Sequence, residues 1–544
     1  MHKNILLFKQ YIYILLVFCI ISLLGLQTMF SDEGYYLSMF QYYFDKNGLD
    51  TNDYICYLTT FVGGCWEAMF GWGGIISHRI LSAFITTLTF YYVLRWLKEY
   101  KKYSLWIFIG FVASQLHGVI TCISSPVLSC LFLSSAICYI TEALKENNNK
   151  KYLLGYFLLG LSVFARLTNI IFAIVFIFAP IFLYKKRNGS LNKVEIGIIG
   201  NILAVCFVLA IIILLGHFSY FFDALFVDLV NSGTSSKSSH NLFSTLTLLF
   251  HDWIIVFAIT SALSLFVWIS NRIRNKVFYS FFCITCIVGF YKGYTYIISN
   301  ISILGYGYVL YSIGITAILF NLKYLKGKYE YIIIALLVAL LMPIGSDVGL
   351  LGITHASLCL LLCLCGAIIN VKSTHANGLI KIFLLTYILI RFTFLFRFGN
   401  FQDYGTSRFE MHYTIQNSEL ATVLVSKEKA KSIDELLNEL RKHVHPGENL
   451  MCFMASPIIN YFTKTIPYAY HSCPVYIDAY KFISNLDKAK KYKRELPVII
   501  LDKNINLKDP GNKMKIDYFR NFIENNKYRI IWSNNSYKIL TPNK

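Results

Sequence analysis

Long apolar runs separated by short polar segments fill the first 397 positions of the chain. A transmembrane helix needs about 20 mostly apolar residues, so the pattern predicts about thirteen of them. No small-residue cleavage site follows the first run, which is therefore interpreted as a retained span and not as a signal peptide. The predicted spans lie near 11–30, 76–97, 104–122, 125–144, 152–165, 168–184, 194–216, 253–270, 277–297, 304–321, 330–344, 350–370 and 379–396.

Basic residues concentrate in every second junction between these runs, while the other junctions hold most of the loop acids. Cytoplasmic loops of membrane proteins carry an excess of Lys and Arg. The alternation therefore predicts a cytoplasmic N-terminus, with the odd-numbered loops and the C-terminal tail outside. Much of the formal charge of +20 then reflects membrane topology, and no nucleic-acid partner is expected.

Composition supports the same class of protein. Only 15% of residues are charged, against about 25% in soluble domains. The 14 cysteines are scattered without paired CxxC motifs, so a structural zinc site is not expected. On the predicted outer face, Cys56 with Cys65 and Cys452 with Cys473 are candidate disulfide pairs.

Three predicted outer segments are long: a first loop at 31–75, a central loop at 217–252 and a tail at 398–544. The central loop contains the polar stretch 231–240, which is typical of a flexible segment. The tail is more charged and alternates helix and strand patterns. We therefore predict an all-α membrane bundle over 1–397, followed by a small extracytoplasmic α/β domain over 398–544.

Local patterns predict individual elements of this C-terminal domain. A capping box at Ser432 precedes a predicted helix, and Ser456-Pro457 is typical of another helix start. Short apolar runs predict four strands, of which the last two form a closing pair: Leu450–Met454, Val498–Leu501, Tyr528–Trp532 and Tyr537–Leu540.

The first loop opens with Asp32 and Glu33, followed by Gly34, Tyr35 and Tyr36. Two adjacent carboxylates at a membrane surface are costly unless something solvates or uses them. The aromatic residues that follow favour an interfacial position. A solvated loop start with an aromatic belt remains the alternative interpretation of this stretch.

The chain resembles the GT-C superfamily of integral-membrane glycosyltransferases. In sequence the likeness rests on Asp32-Glu33-Gly34-Tyr35-Tyr36 directly after the first span, and on the tail stretch Asn449–Tyr468. In architecture it covers the whole chain. Within that superfamily the chain looks most like the bacterial aminoarabinose-transferase and protein-mannosyltransferase type.

This resemblance implies an inverting sugar transfer from a polyprenyl-phosphate donor on the outer face of a bacterial inner membrane. The acceptor would be a glycolipid, a surface polysaccharide or a protein. Asp32 would be the general base that deprotonates the acceptor, and Glu33 would support it or help hold a divalent metal ion. Tyr35 and Tyr36 would contact substrate.

A departing lipid phosphate needs positive charge, and few basic residues lie on the predicted outer face. Arg166, Lys292, Arg79 and Lys237 are the candidates for binding it. The alternative for each is a side chain that extends to lipid headgroups.

Asp347 and His251 are further candidate site residues. Asp347 lies in a short outer turn and could join the site, although Gly345-Ser346-Asp347 is also typical of a turn without chemistry. His251, beside Asp252, could bind a metal ion together with Glu33, or could simply solvate a helix end.

Two rival functions remain open at this point. An O-antigen ligase or polymerase usually places several basic residues in a central outer loop, whereas 217–252 has Lys237 alone. A lipid-linked-glycan flippase or other transporter often has paired halves, which this sequence does not show. There is no phosphate-binding loop motif for ATP and no nucleophile-elbow motif of a hydrolase.

Overall fold

The computed structural model describes two long parts of the chain. The first is 32–273, apart from 46–48, 116–121, 179–189 and 229–241. The second is 306–543, apart from 326, 347–348, 352–353, 399–406, 417–423, 454–455, 476, 478, 494 and 504–512. Scattered positions between 277 and 288 are also described. The predicted first span therefore lies outside the described residues, as does most of the predicted ninth span.

Helices make up most of the described chain up to residue 398. In chain order the α-helices of this part are α1 Asp32–Gln41, α2 Tyr57–Phe70, α3 Gly74–Trp96, α4 Ser104–Gln115, α5 Ser125–Glu146, α6 Asn149–Ala165, α7 Asn169–Ile177, α8 Ser190–Leu214, α9 Phe218–Asp223, α10 Leu242–Ile273, α11 Tyr306–Asn321, α12 Tyr329–Leu341, α13 Thr354–Ser357, α14 Cys359–Ile368 and α15 His375–Phe398.

Four described helices are long and apolar enough to cross a membrane: Ser125–Glu146, Lys193–Leu214, Phe243–Arg272 and His375–Thr393. A fifth crossing is reached if Tyr57–Trp96 and Lys98–Gln115, which meet at a bend of 110°, are counted as one. The prediction of thirteen spans is therefore not supported, although a membrane-associated helical protein is.

Burial between helices explains why apolar runs overstate the number of spans. The run predicted at 350–370 contains α14, which has only ten residues and is buried along its whole length. A Cβ at Gly366 would lie 2.0 Å from the carbonyl oxygen of Trp106, and one at Gly110 would lie 2.1 Å from that of Leu362. Helices α4 and α14 thus pack backbone to backbone, and short apolar helices of this kind are more often buried core helices than spans.

The C-terminal domain is α/β, as predicted. Its helices are α16 Lys427–Leu440, α17 Ile458–Thr463, α18 Ala479–Tyr492 and α19 Lys513–Asn525. Its strands are β1 Tyr413–Thr414, β2 Leu424–Val425, β3 Asn449–Phe453, β4 Ile466–Pro467, β5 Val498–Asp502, β6 Tyr528–Ser533 and β7 Tyr537–Pro542.

Five strands form one sheet in the order β4-β3-β5-β7-β6. Strands β3, β4 and β5 run parallel, whereas β7 pairs antiparallel with both β5 and β6. The four predicted strands are confirmed as β3, β5, β6 and β7. The predicted capping box is wrong: α16 begins earlier, and Ser426 caps it by accepting a hydrogen bond from the backbone N–H of Lys429. The helix start at Ser456-Pro457 is displaced by one residue, since Pro457 is the N-cap of α17.

The candidate disulfides are also absent. None of Cys56, Cys65, Cys452 and Cys473 forms a disulfide in the structure. Cys452 and Cys473 are buried in the C-terminal domain, where a thiol acts as a small apolar side chain.

Candidate functional site

A buried ion pair holds the start of α1. Arg79 on α3 donates from Nε to Glu33 Oε1 at 2.9 Å and from Nη2 to Glu33 Oε2 at 2.8 Å. Both side chains are almost fully excluded from solvent. A bidentate guanidinium–carboxylate pair combines charge with fixed geometry. The predicted phosphate ligand Arg79 and the predicted support residue Glu33 therefore bind each other.

A second buried network lies next to this pair. His78 Nε2 is 2.6 Å from Glu67 Oε2, and the hydroxyl of Tyr461 on α17 donates to the same oxygen at 3.3 Å. Phe40 on α1 stacks on the His78 ring, with centroids 5.5 Å apart. Among the described residues, His78 Nδ1 has no hydrogen-bond partner. One imidazole nitrogen is thus oriented by a carboxylate while the other stays unpaired in a buried space.

The C-terminal domain sits directly on α1. A Cβ at Gly34 would lie 2.5 Å from the backbone nitrogen of Ile458, so only glycine allows this approach. Four residues further along α1, the Ser38 hydroxyl donates to the Pro457 carbonyl at 3.0 Å. The helix that carries the acidic pair is therefore covered by the start of α17.

Tyr35 connects α1 to a second group of acids. Its hydroxyl donates to Asp53 Oδ1, and its ring stacks on His471 of the C-terminal domain at 5.1 Å. Burial, with Asp50 close by, raises the pKa of the Asp53 carboxyl to about 7. Burial lowers the pKa of His471 to about 4, so the imidazole facing Tyr35 is neutral near pH 7.

Lys481 on α18 joins three distant segments, and we call it the Lys481 clasp. Its ammonium lies 3.0 Å from Asp50 in the first loop and 2.7 Å from Asp228 in the central loop. Asn485, one turn along α18, donates to Asp50 at 2.9 Å. Thr51 also donates to Asp228. The clasp fixes the C-terminal domain against both loops.

Arg166 lies close to Tyr36 of α1. This buried guanidinium donates to the carbonyls of Met342 at 2.5 Å and Ile344 at 3.1 Å. It has no carboxylate partner among the described residues. It is near enough to the hydroxyl of Tyr36 to interact electrostatically, and Tyr36 lies 3.3 Å from Ser125 Oγ. The structure therefore brings together Arg166 and Tyr36, two of the predicted site residues.

The remaining predicted residues are only partly described. Asp32 is the first residue of α1, but its side chain lies outside the described residues, as do Lys237, Lys292 and Asp347.

The proposed metal pair does not fit a divalent ion. Both oxygens of Glu33 accept hydrogen bonds from Arg79, and His251 is 70% exposed at 4.0 Å from Asp252. Asp252 itself accepts from Tyr308 at 2.5 Å and from the Leu350 backbone at 2.9 Å. Within the part of the chain that the structure describes, no three His, Cys, Asp or Glu side chains are arranged to hold a metal ion.

Sequence reasoning missed Glu67, His78, Tyr461 and Lys481 as site residues. Glu67 and His78 are 11 residues apart and meet only because Gly71 to Gly74 break the chain between α2 and α3. Tyr461 and Lys481 arrive from more than 390 positions away. The one signal in the sequence that points to this network is that His78 directly precedes Arg79.

The chain has no significant match to a protein-family model, a curated protein or a solved structure.

Proposed function

We propose that the chain is a GT-C-like integral-membrane glycosyltransferase of a bacterial inner membrane. It takes a sugar from a polyprenyl-phosphate donor and transfers it to a glycolipid, a surface polysaccharide or a protein. The first loop, the central loop and the C-terminal domain lie outside the membrane in this proposal, and the N-terminus is cytoplasmic. The alternation of basic junctions along the sequence supports that orientation.

One observation carries the proposal: Arg166 is a buried cation without a carboxylate partner among the described residues, next to the helix that begins with Asp32. Leaving a buried charge unpaired is costly, and basic groups at membrane depth mark ligand sites by default. An anionic group of a lipid substrate, such as a sugar-linked phosphate, is the partner that the guanidinium fits best. Tyr36, close to Arg166, would meet the same substrate.

The transfer would proceed as a single displacement. An acceptor hydroxyl or amine attacks the anomeric carbon, the bond from that carbon to the phosphate oxygen breaks, and the electron pair leaves on the phosphate. The acceptor proton passes to the carboxylate of Asp32. Arg166, assisted by Lys292, Lys237 or both, would stabilise the charge that grows on the leaving phosphate. No step requires a metal ion held by Glu33 and His251.

Glu33 and Arg79 have a positioning role in this scheme. Their ion pair sets the start of α1 against α3 and so fixes the position of the helix that begins with Asp32. A carboxylate that removes a proton must be within hydrogen-bond reach of it, and small displacements of a reacting group cost large factors in rate.

The test is sugar transfer by the purified full-length protein, with radiolabelled polyprenyl-phosphate sugars and total membrane acceptors. We expect the wild type to transfer label and Asp32→Asn to transfer about 100-fold less or worse. Asp517→Asn, at an exposed acid of the C-terminal domain, is the matched control and should keep full activity. Equal transfer by the wild type and Asp32→Asn would show that Asp32 is not the base. Donor flipping in liposomes by both variants, without any transfer, would favour a transporter.

A further inference from the structure

The turn between α6 and α7, which carries Arg166, packs against the N-terminal ends of two other helices. Thr59, in the first turn of α2, donates to the carbonyl of Ala165 at 3.1 Å. At the other end of the turn, the amide of Asn169 donates to the hydroxyl of Ser129 on α5 at 2.6 Å. The beginnings of α2 and α5 therefore meet at this turn.

Four side chains lie together at this meeting point, and we call them the Arg166 cluster. The hydroxyl of Ser125, the first residue of α5, is within hydrogen-bonding reach of the Cys56 thiol at the start of α2. It also lies 3.3 Å from the hydroxyl of Tyr36. Arg166 interacts electrostatically with both Cys56 and Tyr36. Arg166 and Ser125 are each 8% exposed, whereas Cys56 and Tyr36 are partly exposed.

Arg166 is the charged member of this cluster near pH 7. Burial raises the pKa of the Cys56 thiol, although Ser125 and Arg166 oppose that shift, so the thiol keeps its proton. Burial also raises the pKa of the Tyr36 hydroxyl. The guanidinium is therefore surrounded by neutral groups, and neither a thiolate nor a phenolate of the cluster neutralises it.

Asp53 is the acid closest to being a partner. It interacts electrostatically with Cys56, but its carboxyl accepts hydrogen bonds from Tyr35 and, at 3.0 Å, from the backbone N–H of Asp50. Among the described residues, the ionisable groups that interact with Arg166 are Cys56 and Tyr36. Asp53 therefore leaves the positive charge of the cluster uncompensated.

The cluster has more hydrogen-bond donors than acceptors. A guanidinium has five N–H donors, and those of Arg166 find two acceptors among the described residues, the carbonyls of Met342 and Ile344. The Tyr36 hydroxyl accepts from the backbone N–H of Ser125 at 3.4 Å, which leaves its own proton to be donated. A serine hydroxyl and a thiol add further donors. A tetrahedral anion with several oxygens, such as phosphate, complements a cation among neutral donors.

We propose that Ser125 and Cys56 bind a phosphate group together with Arg166. The hydroxyl of Ser125 donates to one phosphate oxygen, and the thiol of Cys56, a weaker donor, contacts another from the partly exposed side. The identity of this phosphate as that of a lipid-linked sugar donor rests on the proposed function. The anion site itself rests on the contacts of the cluster. Ser125 and Cys56 bind the phosphate and take part in no covalent step.

The test is equilibrium binding of radiolabelled farnesyl phosphate to the purified full-length protein in neutral detergent. Unlabelled inorganic phosphate and farnesol compete as the two halves of this ligand. Ser125→Ala should weaken the binding of farnesyl phosphate about tenfold, because a hydrogen bond to a charged group is lost. Cys65→Ala, at a second thiol of α2, is the matched control and should bind like the wild type.

Cys56 is tested with two substitutions of nearly equal volume. Cys56→Asp places a carboxylate beside Arg166, where it repels the phosphate, whereas Cys56→Asn adds no charge. We expect Cys56→Asp to bind farnesyl phosphate about 100-fold more weakly than Cys56→Asn. Cys56→Ser keeps a donor and should bind like the wild type. A merely structural role of Cys56 would affect the Asp and Asn variants equally, and melting temperatures identify the variants that fold normally.

The competitors separate the two sources of phosphate. Displacement of the label by inorganic phosphate at the same concentration as by farnesyl phosphate identifies a free phosphate as the ligand, and much weaker displacement identifies a lipid-linked one. Both results support the site. No binding of either phosphate, equal displacement by farnesol, or equal affinities of Cys56→Asp and Cys56→Asn would overturn it.

This site and the proposed function can fail separately. Sugar transfer by the wild type, with a KM for the donor that neither Ser125→Ala nor Cys56→Asp changes, would keep the transferase and remove this phosphate site. Phosphate-dependent binding that responds to both substitutions, in a protein that transfers no sugar, would keep the site and remove the transferase.

Discussion

Glu33 and Arg79 lie 46 positions apart in the sequence and meet through two parallel hydrogen bonds of 2.9 and 2.8 Å in a buried space. The sequence predicts that Arg79 binds the donor phosphate and that Glu33 supports Asp32 or helps hold a metal ion. In the structure they instead bind each other and connect α1 to α3. This changes what substitutions at either position should do.

Substitutions of the two partners of this buried pair should not have additive effects on stability. Arg79→Met leaves the Glu33 carboxylate buried without a counter-charge, and Glu33→Gln does the same to the Arg79 guanidinium. Because water cannot reach the remaining charge, each substitution should lower the free energy of unfolding by about 3 to 5 kcal/mol. The double variant should lose less than the sum of the two. Denaturant unfolding in detergent, analysed as a double-mutant cycle, measures this. Additive losses would contradict the direct coupling of the two side chains.

The exposed pair of Arg520 and Asp517, 3.7 Å apart on α19, is the control for that cycle. Arg520→Met should change stability by less than about 1 kcal/mol, because exposed ion pairs contribute little.

Gly34→Ala should loosen the contact between α1 and the C-terminal domain. The new methyl group would meet the backbone nitrogen of Ile458 at 2.5 Å, and forced contacts of this kind cost about 1 to 3 kcal/mol. The three closest atoms are the backbone nitrogen, the Cβ and the Cα of Ile458. Since alanine keeps all three, Ile458→Ala should not rescue the variant. Faster amide hydrogen exchange in α17 is the expected readout, and a rescue by Ile458→Ala would show that side-chain atoms beyond Cβ are what clash.

The two nitrogens of His78 can be separated by substitution. Gln places an amide near the position of Nε2 and can keep the contact with Glu67, whereas Asn places its amide near Nδ1 and loses that contact. If His78 mainly holds Glu67, His78→Gln should fold like the wild type. His78→Asn should lose about 1 to 3 kcal/mol, the cost of an unsatisfied buried group. Thermal unfolding of both variants measures the difference. Equal stabilities would show that the contact between His78 and Glu67 does not stabilise the fold.

The raised pKa of Asp53 predicts that the stability of the protein depends on pH. Its pKa is raised to about 7 in the folded chain, from an ordinary value of 3.8, so the folded state holds the proton more tightly than the unfolded state. Its contribution to stability is therefore fully present below about pH 4 and is lost as pH rises to about 7. Asp53→Asn should flatten the melting-temperature profile in that window. A profile that matches the wild type would show that the carboxyl ionises normally.

Lys481→Met should release the clasp while keeping the length of the side chain. Two acids, Asp50 and Asp228, would lose their shared cation, and we expect a loss of about 3 kcal/mol in stability. Limited proteolysis should then cut the first loop faster. Lys490→Met, which removes an exposed contact with Asp487, should leave the cleavage rate unchanged.

The elements that the sequence predicts well are those fixed by local pattern. The strands at 449–453, 498–502, 528–533 and 537–542 were found because alternating or continuous apolar residues bounded by turns define them. The number of spans was not found, because an apolar run such as 350–370 has the same composition whether lipid or other helices surround it. Arg166 and Tyr36 were selected one at a time, and only the fold shows that they are neighbours.

The site contacts that were missed depend on long-range packing. The partner of Arg79 could not be read from local pattern, since a phosphate and a buried carboxylate both attract a guanidinium. Tyr461 and Lys481 belong to a charged tail in which many similar residues occur, and nothing local distinguishes them.

The Lys481 clasp also has a consequence for biosynthesis. Asp50 is synthesised 435 residues before its hydrogen-bond partner Asn485. At typical synthesis rates of about 5 to 20 residues per second, that interval is on the order of tens of seconds. During this time the acids of the first loop have left the ribosome without their lysine, so the loop can reach its final form only when Lys481 and Asn485 have emerged. A nascent chain that stops before residue 479 would therefore present an unfinished first loop to the quality-control proteases of the cell.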